Sequence, residues 1–392
     1  MKKILTLTFF TVILFLLTVG DLIAIPAFAR KYNMSCKTCH SPFPHLKPYG
    51  EEFAGNGFVL KDKDSPRYFV NTGDDQLSLI RDFPIAFRLQ GFVTYNEENL
   101  NRIDFTGPSV FKILSGGAIT KDVSYYVYYI LENGETGKIE DAFLMLNNLF
   151  GSELDFSIGQ YQVSDPLFKR ELRLTNEDYL IYKVRPGNSE VDLTYDRGIM
   201  LTSSFPTNTD VTLEVVNGSG IGEAVASNLF DKDKYKNVFC RVSQEVNKYL
   251  RLGTFGYYGN EIIMHDSIPN GFKNELWMAG GDASISQDKF ELNIQYLIRG
   301  DKNPYGILNP GKELKTKGGF AELIFKPQGD DSRWYMVVLY NQIDSDDSDL
   351  DYKSIAGHIG YLFRRNIRFI GEVIYDIKYE YARINIGFVS AF

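Results

Sequence analysis

From Phe83 to the last residue, apolar and polar side chains alternate along the chain with a period of two. The clearest run places mostly polar or charged residues between five apolar ones: Phe290, Leu292, Ile294, Tyr296 and Ile298. In a β-strand, successive side chains point to opposite faces. The pattern therefore predicts an all-β chain in which each strand has one apolar and one polar face.

Sixteen such segments are counted, beginning near residues 84, 108, 121, 139, 152, 190, 208, 235, 248, 272, 287, 315, 332, 352, 366 and 379. Short connections at 120–121, 147–151, 206–209 and 364–366 alternate with long ones at 162–189, 217–235, 260–272, 300–314 and 342–352. Outer-membrane barrels have short periplasmic turns and long outer loops. We predict that residues 83–392 form an antiparallel outer-membrane β-barrel of about 16 strands, surrounded by lipid, with both termini periplasmic.

The chain ends in an alternating segment whose last residue is Phe392, which resembles the assembly signal of bacterial outer-membrane barrels. A large soluble periplasmic sandwich is the alternative, since its strands also alternate. In soluble all-β folds, long and short loops do not alternate regularly along the chain, so the pattern favours the barrel.

The N-terminus combines Lys2 and Lys3, an apolar run from Ile4 to Val19, and Ala27-Phe28-Ala29. These features predict a signal peptide over residues 1–29. An uncleaved anchor helix is the alternative, although the run is shorter than the ~20 residues that a membrane span needs. Cleavage removes two lysines and one aspartate and so changes the net charge from -8 to -9. Such an acidic chain is not expected to bind nucleic acid.

The residues Cys36-Lys37-Thr38-Cys39-His40 have the spacing of a c-type haem attachment site. Cys36 and Cys39 would each form a thioether to the same porphyrin, and His40 would be the proximal ligand of its iron. A thioredoxin-like pair would need a βαβ context, and a zinc site would need a second Cys/His pair. Neither is present in the sequence, so we expect one covalently bound haem c.

The haem motif lies in a short segment, residues 30–82, which we predict to be a mostly coil and helical plug in the barrel lumen. A helix is expected from Pro48 to about Ala54, with Leu46, Tyr49 and Phe53 near one side, where they would cover a haem face. Since so short a segment cannot enclose a haem alone, the rest of the chain must supply further walls.

The sixth haem ligand is not fixed by the sequence. His358 would point into the lumen, and His45 lies close to the motif but would have to reach the opposite haem face. Met34, Met145 and Met200 are further candidates, and an open sixth site is the remaining alternative.

Outside the haem motif, an acidic run in a predicted outer loop offers carboxylates for a hard cation such as Fe²⁺ or Ca²⁺: Asp344, Asp346, Asp347 and Asp349. A solvated acidic loop is the plainer interpretation, because the run lacks the glycine and glutamate of a calcium loop. Cys240 is expected to face lipid between Val238 and Val242. The connection 162–189 is predicted to fold inward as a constriction, by analogy with porins.

The leader, the C-x-x-C-H motif and the predicted barrel together resemble the fused monohaem cytochrome-porins known from iron-oxidising bacteria. The matching residues are Phe28-Ala29-Arg30, Cys36-x-x-Cys39-His40, Phe43-Pro44-x-Leu46, Gly50-x-x-Phe53 and Asn56-Gly57. The resemblance implies electron transfer from extracellular Fe²⁺ through the haem to a periplasmic electron-carrier protein. The direction of flow, and so whether the extracellular metal ion is donor or acceptor, is left open.

Two other functions fit the sequence. One is a diffusion porin for small solutes, with the haem segment as a plug or redox sensor. The other is a haem enzyme that acts on a small molecule at an open sixth coordination site. If the electron conduit itself is counted as an enzyme, it would be an Fe(II):cytochrome oxidoreductase.

Overall fold

A computed structural model describes residues 27–60, 69–70, 72–74, 76–81, 83–98, 102–225, 228–265, 268–306 and 311–392. Of the predicted signal peptide, only Ala27 to Ala29 belong to these described residues. Most of the described chain forms one closed barrel of sixteen strands. The predicted fold class and strand number are therefore confirmed.

Three short α-helices lie at the start of the described chain: α1 Ala27–Tyr32, α2 Cys36–Cys39 and α3 Pro48–Gly55. A small two-stranded sheet follows, formed by β1 Phe69–Val70 and β2 Leu79–Ile80. The barrel strands are β3 Ile85–Asn96, β4 Ile103–Ala118, β5 Val123–Glu132, β6 Lys138–Leu146, β7 Leu154–Gln162, β8 Tyr195–Phe205, β9 Thr209–Val216, β10 Asn237–Asn247, β11 Leu250–His265, β12 Ile268–Gln287, β13 Phe290–Asp301, β14 Leu314–Phe325, β15 Trp334–Ser345, β16 Tyr352–Arg364, β17 Ile367–Asp376 and β18 Tyr381–Ala391.

Each barrel strand pairs antiparallel with the next along the chain, and β18 pairs with β3 to close the sheet. The last residue takes part in this seam, since the amide of Phe392 donates to the carbonyl of Phe87 at 2.9 Å and the Phe87 amide donates in return at 2.6 Å. Every barrel strand begins within five residues of its predicted start.

The two faces of the barrel differ as the alternation predicts. On β13, the outward residues Phe290, Ile294 and Tyr296 are 51%, 41% and 50% exposed. The inward side chains of Leu276 on β12 and Phe239 on β10 are fully buried. Cys240 is exposed on the outer face, as predicted. Within the described residues, no helix is long and apolar enough to cross a membrane.

Two of the predicted long loops are shorter than expected. The connection predicted at 260–272 is replaced by strand, because β11 continues to His265 and β12 begins at Ile268. Likewise, β15 continues to Ser345 and takes in Asp344. Beyond the lipid, a strand needs no apolar face, so backbone pairing continues after the alternation has ended.

The segment 163–194, which joins β7 to β8, folds into the barrel and is called the inward loop below. Its residues Val163, Ile181 and Tyr182 are buried in one apolar cluster with side chains from the barrel wall, including Phe239, Leu276, Phe320 and Leu339. The predicted inward fold of this connection is therefore observed, and its apolar contacts fill the lumen at this level.

A charge on the outer face should be costly in a lipid bilayer. Ile294 lies in the middle of β13, so we expect Ile294→Arg to lower the free energy of unfolding by about 2–4 kcal/mol. The measurement is urea unfolding in lipid vesicles, followed by tryptophan fluorescence. Ile294→Leu is the control and should change the free energy by less than about 1.5 kcal/mol. Equal stability of the two variants would contradict a lipid-facing position.

Candidate functional site

The haem motif forms a single helical turn. The side chain of Ser35 accepts from the Lys37 amide at the start of α2, and the amide of His40 donates to the Cys36 carbonyl at 2.9 Å at its end. Cys36 and Cys39 are free thiols and half-buried. Burial raises the pKa of both thiols; for Cys36 this outweighs the opposite effects of its backbone hydrogen bond and of Arg365. The two thiols are thus presented side by side in neutral form.

His40 is held by the chain that follows it. Its Nδ1 lies 2.8 Å from the carbonyl oxygen of Pro44, and its ring meets Phe43 edge-on with centroids 4.9 Å apart. Burial lowers the pKa of His40 to about 4, against the raising effect of the Pro44 and His45 carbonyls. The imidazole is therefore neutral, with its proton on Nδ1, and Nε2 keeps the lone pair that an iron ligand needs.

Backbone contacts fold the next residues onto the motif. The amide of Lys47 donates to the Cys39 carbonyl at 2.8 Å, and His40 forms a β-bridge with Leu46. Helix α3 then approaches so closely that a Cβ at Gly50 would lie 2.4 Å from the Cys39 oxygen. Only glycine permits this approach at position 50.

The haem segment closes the short-turn end of the barrel through ion pairs. His45 Nε2 lies 2.8 Å from Glu291 at the start of β13. Lys37 and Lys47 lie 2.8 Å from Asp331 and Asp330 in the turn between β14 and β15. The haem motif is thus fixed at the rim of the barrel.

A small cleft, partly open to solvent, lies between the haem motif and this rim. Its lining residues come from both sides: Cys36, Lys37, His40, Ser41, Pro42, Phe43, Asp330, Ser332, Leu362 and Arg365. Two thiols and a neutral histidine whose Nε2 has no hydrogen-bond partner are the groups that attach and ligate a c-type haem. The residues present therefore fit this cofactor.

The candidate sixth ligands lie elsewhere or have other partners. His358 is buried on β16, with Nδ1 2.7 Å from Glu372 and Nε2 3.3 Å from the Tyr335 hydroxyl. His45 is occupied by Glu291. Met145 and Met200 point inward, and Met200 packs against the cluster around the inward loop. Their ligation remains a prediction that these positions do not favour.

The acidic run does not gather its carboxylates around one point. Asp344 accepts from Gln342 at 2.6 Å, Asp346 accepts from the Lys315 amide at 2.8 Å, and Asp347 accepts from the Asp349 amide at 3.3 Å. Within the described part of the chain, no group of three or more His, Cys, Asp or Glu residues is placed to hold a metal ion. Cation binding by these carboxylates stays a prediction, which their separate hydrogen-bond partners do not favour.

The residues predicted to cover a haem face, Leu46, Tyr49 and Phe53, do not lie together on one surface. Phe53 is buried instead among aromatic rings, with centroids 5.5 Å from Tyr32 and 5.8 Å from Phe58 of the same segment, and 5.5 Å from Phe28 of the predicted signal peptide. Tyr49 is 44% exposed. Phe58 then stacks on Tyr126 of β5 with centroids 5.0 Å apart, so this aromatic cluster packs the segment against the barrel.

Charged residues of the barrel wall hold the inward loop in place. Glu372 accepts from the amides of Asn176 and Glu177 at 2.7 and 2.8 Å, and Glu322 accepts from the Tyr179 hydroxyl at 3.0 Å. The guanidinium of Arg299 donates to the carbonyls of Val184 and Val191 and to Ser189. The wall thus binds the loop along much of its length. The alternation places Arg299, Glu322 and Glu372 on the lumen face, but which loop groups they bind is not visible in the sequence.

An ion pair within the loop reinforces this arrangement. Arg170 Nη2 lies 2.5 Å from Asp178, and Lys183 lies 2.6 Å from the same carboxylate. Burial would raise the pKa of Asp178, but Arg173, Arg170 and Lys183 together hold it far below its usual range. The carboxylate stays ionised, so the pair persists down to strongly acidic pH.

No protein-family model matches this chain, and no curated protein matches it. Solved structures do match its fold. The loop-deleted OmpT of Vibrio cholerae, described as an outer membrane protein, has a TM-score of 0.57 and 10% identity, over 79% of this chain and 99% of that one.

Two further solved barrels give similar values. The outer membrane channel DcaP of Acinetobacter baumannii has a TM-score of 0.55 and 10% identity, over 79% of this chain and 97% of that one. OmpF of Salmonella typhi, in complex with daunomycin, has a TM-score of 0.54 and 12% identity, over 79% and 97%. The chain therefore has a porin-like fold of the outer-membrane type.

The ion pair between His45 and Glu291 should respond to pH. Burial lowers the pKa of His45, but the carboxylate of Glu291, with smaller effects of Glu322 and Glu51, raises it from 6.5 to about 9. A raised pKa stabilises the docked segment fully below pH 6.5, and this contribution is lost as the pH rises through about 9.

We therefore expect hydrogen exchange in residues 41–47 to accelerate above about pH 9, beyond the intrinsic pH effect on exchange. His45→Gln should exchange faster already at neutral pH and show no such step. A wild-type profile without the step would contradict docking through this pair.

Proposed function

We propose that this protein is an outer-membrane barrel that carries one haem c and passes electrons across the membrane, from extracellular Fe²⁺ to a periplasmic electron-carrier protein. One observation carries the proposal. His40 Nδ1 is bound to the Pro44 carbonyl at 2.8 Å beside two free thiols, which leaves Nε2 available for iron. The porin-like fold supports the membrane location.

Each residue of the motif has a distinct role in this proposal. Cys36 and Cys39 would hold the haem covalently, and His40 would ligate its iron through Nε2. When bound, the haem would supply one-electron transfer at its iron. Pro44 fixes the tautomer and direction of the His40 ring, and Gly50 allows α3 to support the motif from behind.

The filled lumen supports transfer of electrons more than passage of solutes. Around the inward loop, side chains from the loop and the wall are fully buried together, among them Tyr182, Phe239, Leu276 and Leu339. The anchoring carboxylates Glu322 and Glu372 bind the loop directly. Electrons need no open channel, whereas a diffusing solute does.

The fold comparisons favour a second candidate, a diffusion porin for small solutes with the haem segment as its plug. The matched barrels are covered over nearly their whole length, and one of them is described as an outer membrane channel. For this function the inward loop would have to leave a passage beside the wall. The two candidates differ in conductance and in haem-dependent electron transfer.

Reduction of the haem by external Fe²⁺ tests the first candidate. The protein is produced with a haem-attachment system, and whole cells are given Fe²⁺ outside while the haem absorbance is recorded. We expect reduction in the wild type and its loss in Cys36→Ala and His40→Ala. Cys240→Ala, on the lipid face, is the matched control and should behave as the wild type. Unchanged reduction in the motif variants would overturn the proposal.

Conductance in planar bilayers tests the second candidate. Because the lumen is filled, we expect the wild type to conduct poorly and a variant with residues 165–182 replaced by a short Gly/Ser linker to show large ohmic currents. High conductance of the wild type, without electron transfer that depends on the haem, would establish the diffusion porin instead.

A further inference from the structure

We infer that the barrel rim forms the second wall of the haem pocket, with Arg365 binding the haem propionates and Leu362 covering the macrocycle. This inference rests on the proposed function, since it concerns the haem attached at Cys36 and Cys39. It assigns to the barrel a direct part in binding the cofactor.

The rim residues are placed by the turn between β16 and β17. Leu362 points inward near the end of β16 and is 5% exposed, and its amide donates to the Arg333 carbonyl at 2.8 Å. Arg365 follows in the turn itself and is half-buried. Both side chains line the cleft opposite Cys36 and His40. The cleft is thus completed by a part of the chain more than 300 residues away in sequence.

The charged groups around the cleft carry an excess of positive charge, which would favour binding of the negatively charged haem propionates. Asp331 is paired with Lys37, while Asp330 is paired with Lys47 and also lies 3.5 Å from Lys326. Within the described part of the chain, Arg365 forms no ion pair within 4 Å, although its charge acts on Asp331 at longer range. Among the residues that line the cleft, Lys37 and Arg365 are cations and Asp330 is the carboxylate, so positive charge is in excess there.

The propionates of a haem carry two negative charges, which would balance this excess. A guanidinium presents paired N–H donors that match a carboxylate, and a charge-assisted contact of this kind is stronger than one between neutral groups. Arg365 is the cation at the cleft that is free to make it. Leu362 supplies an apolar surface, as Pro42 and Phe43 do on the opposite side.

The neighbouring residue provides a matched control. Arg364 ends β16 on the exposed side, and its guanidinium lies over the Phe363 ring with 5.1 Å to the centroid. It has the same charge and lies one residue away, but it does not line the cleft. Arg364→Gln therefore removes an equal charge from the same turn without touching the pocket.

The test compares Arg365→Gln, Arg365→Lys and Arg364→Gln in the full-length haem-loaded protein. Haem staining of denatured protein reports thioether formation, and heat-dependent migration on gels reports the folded barrel. The redox midpoint potential and the resonance Raman band of propionate bending report the pocket. A positive charge near the haem favours its reduced form, so loss of that charge should lower the potential.

We expect Arg365→Gln to keep its stained haem and barrel, to shift the propionate band and to have a lower midpoint potential. Arg365→Lys should recover most of the potential but not the band, because an ammonium lacks the paired donors. Arg364→Gln should match the wild type in both.

Equal potentials and equal Raman bands for Arg365→Gln and Arg364→Gln would overturn this inference while leaving the haem assignment intact. Absence of stained haem in the wild type would instead overturn the proposed function, and the inference with it. If Arg365→Gln fails to form a barrel, the propionate band of Arg365→Lys is compared with that of the wild type. A shifted band would support the inference, and an unchanged band would overturn it.

Discussion

Closure of the sheet between β18 and β3 is the constraint on which the rest of the structure depends. In hydrocarbon, an unpaired backbone N–H or C=O costs several kcal/mol, so a spanning sheet cannot keep an open edge. The seam extends to the last residue, where Phe392 exchanges hydrogen bonds with Phe87. Once the sheet is closed, alternate side chains must face either lipid or the lumen, and the polar residues are thereby collected inside.

The polar interior then determines how the lumen is filled. Buried carboxylates and guanidinium groups need partners, and breaking such a pair typically costs about 3–5 kcal/mol. Arg299 and Glu372 pair with Asp301 and His358 of the wall itself. Together with Glu322 they also bind backbone groups and a tyrosine hydroxyl of the inward loop. The loop therefore supplies hydrogen-bond partners to buried groups of the wall, and the wall in turn fixes the position of the loop. Apolar side chains from both then close the remaining space.

The barrel was predictable from the sequence because it depends on a local pattern, and the haem motif, whose haem stays a prediction, is likewise a local pattern. Strand alternation follows from the lipid, and the C-x-x-C-H spacing follows from one helical turn. The extension of β11 and β15 was not predictable, since strands outside the lipid lose the alternation. The contact between His40 and Pro44 was not predictable either, because it depends on how the chain folds back at the prolines. The position of Arg365 beside the haem motif was also not predictable, because the two meet only after the barrel has closed.

For the proposed haem, the position of the C-x-x-C-H motif limits how one cofactor could serve both sides of a membrane. His45 contacts Glu291 at one end of β13, and Asp301 ends the same strand ten residues later, about 34 Å along the strand. Electron tunnelling falls steeply with distance, so a donor outside the long-loop end is too far from the rim. The inward loop lies between them, and Tyr179 is linked to His45 through Glu322, Asn293 and Glu291. Direct electron transfer in the proposed function would therefore require the donor to enter the lumen, and the inward loop would set its closest approach to the proposed haem.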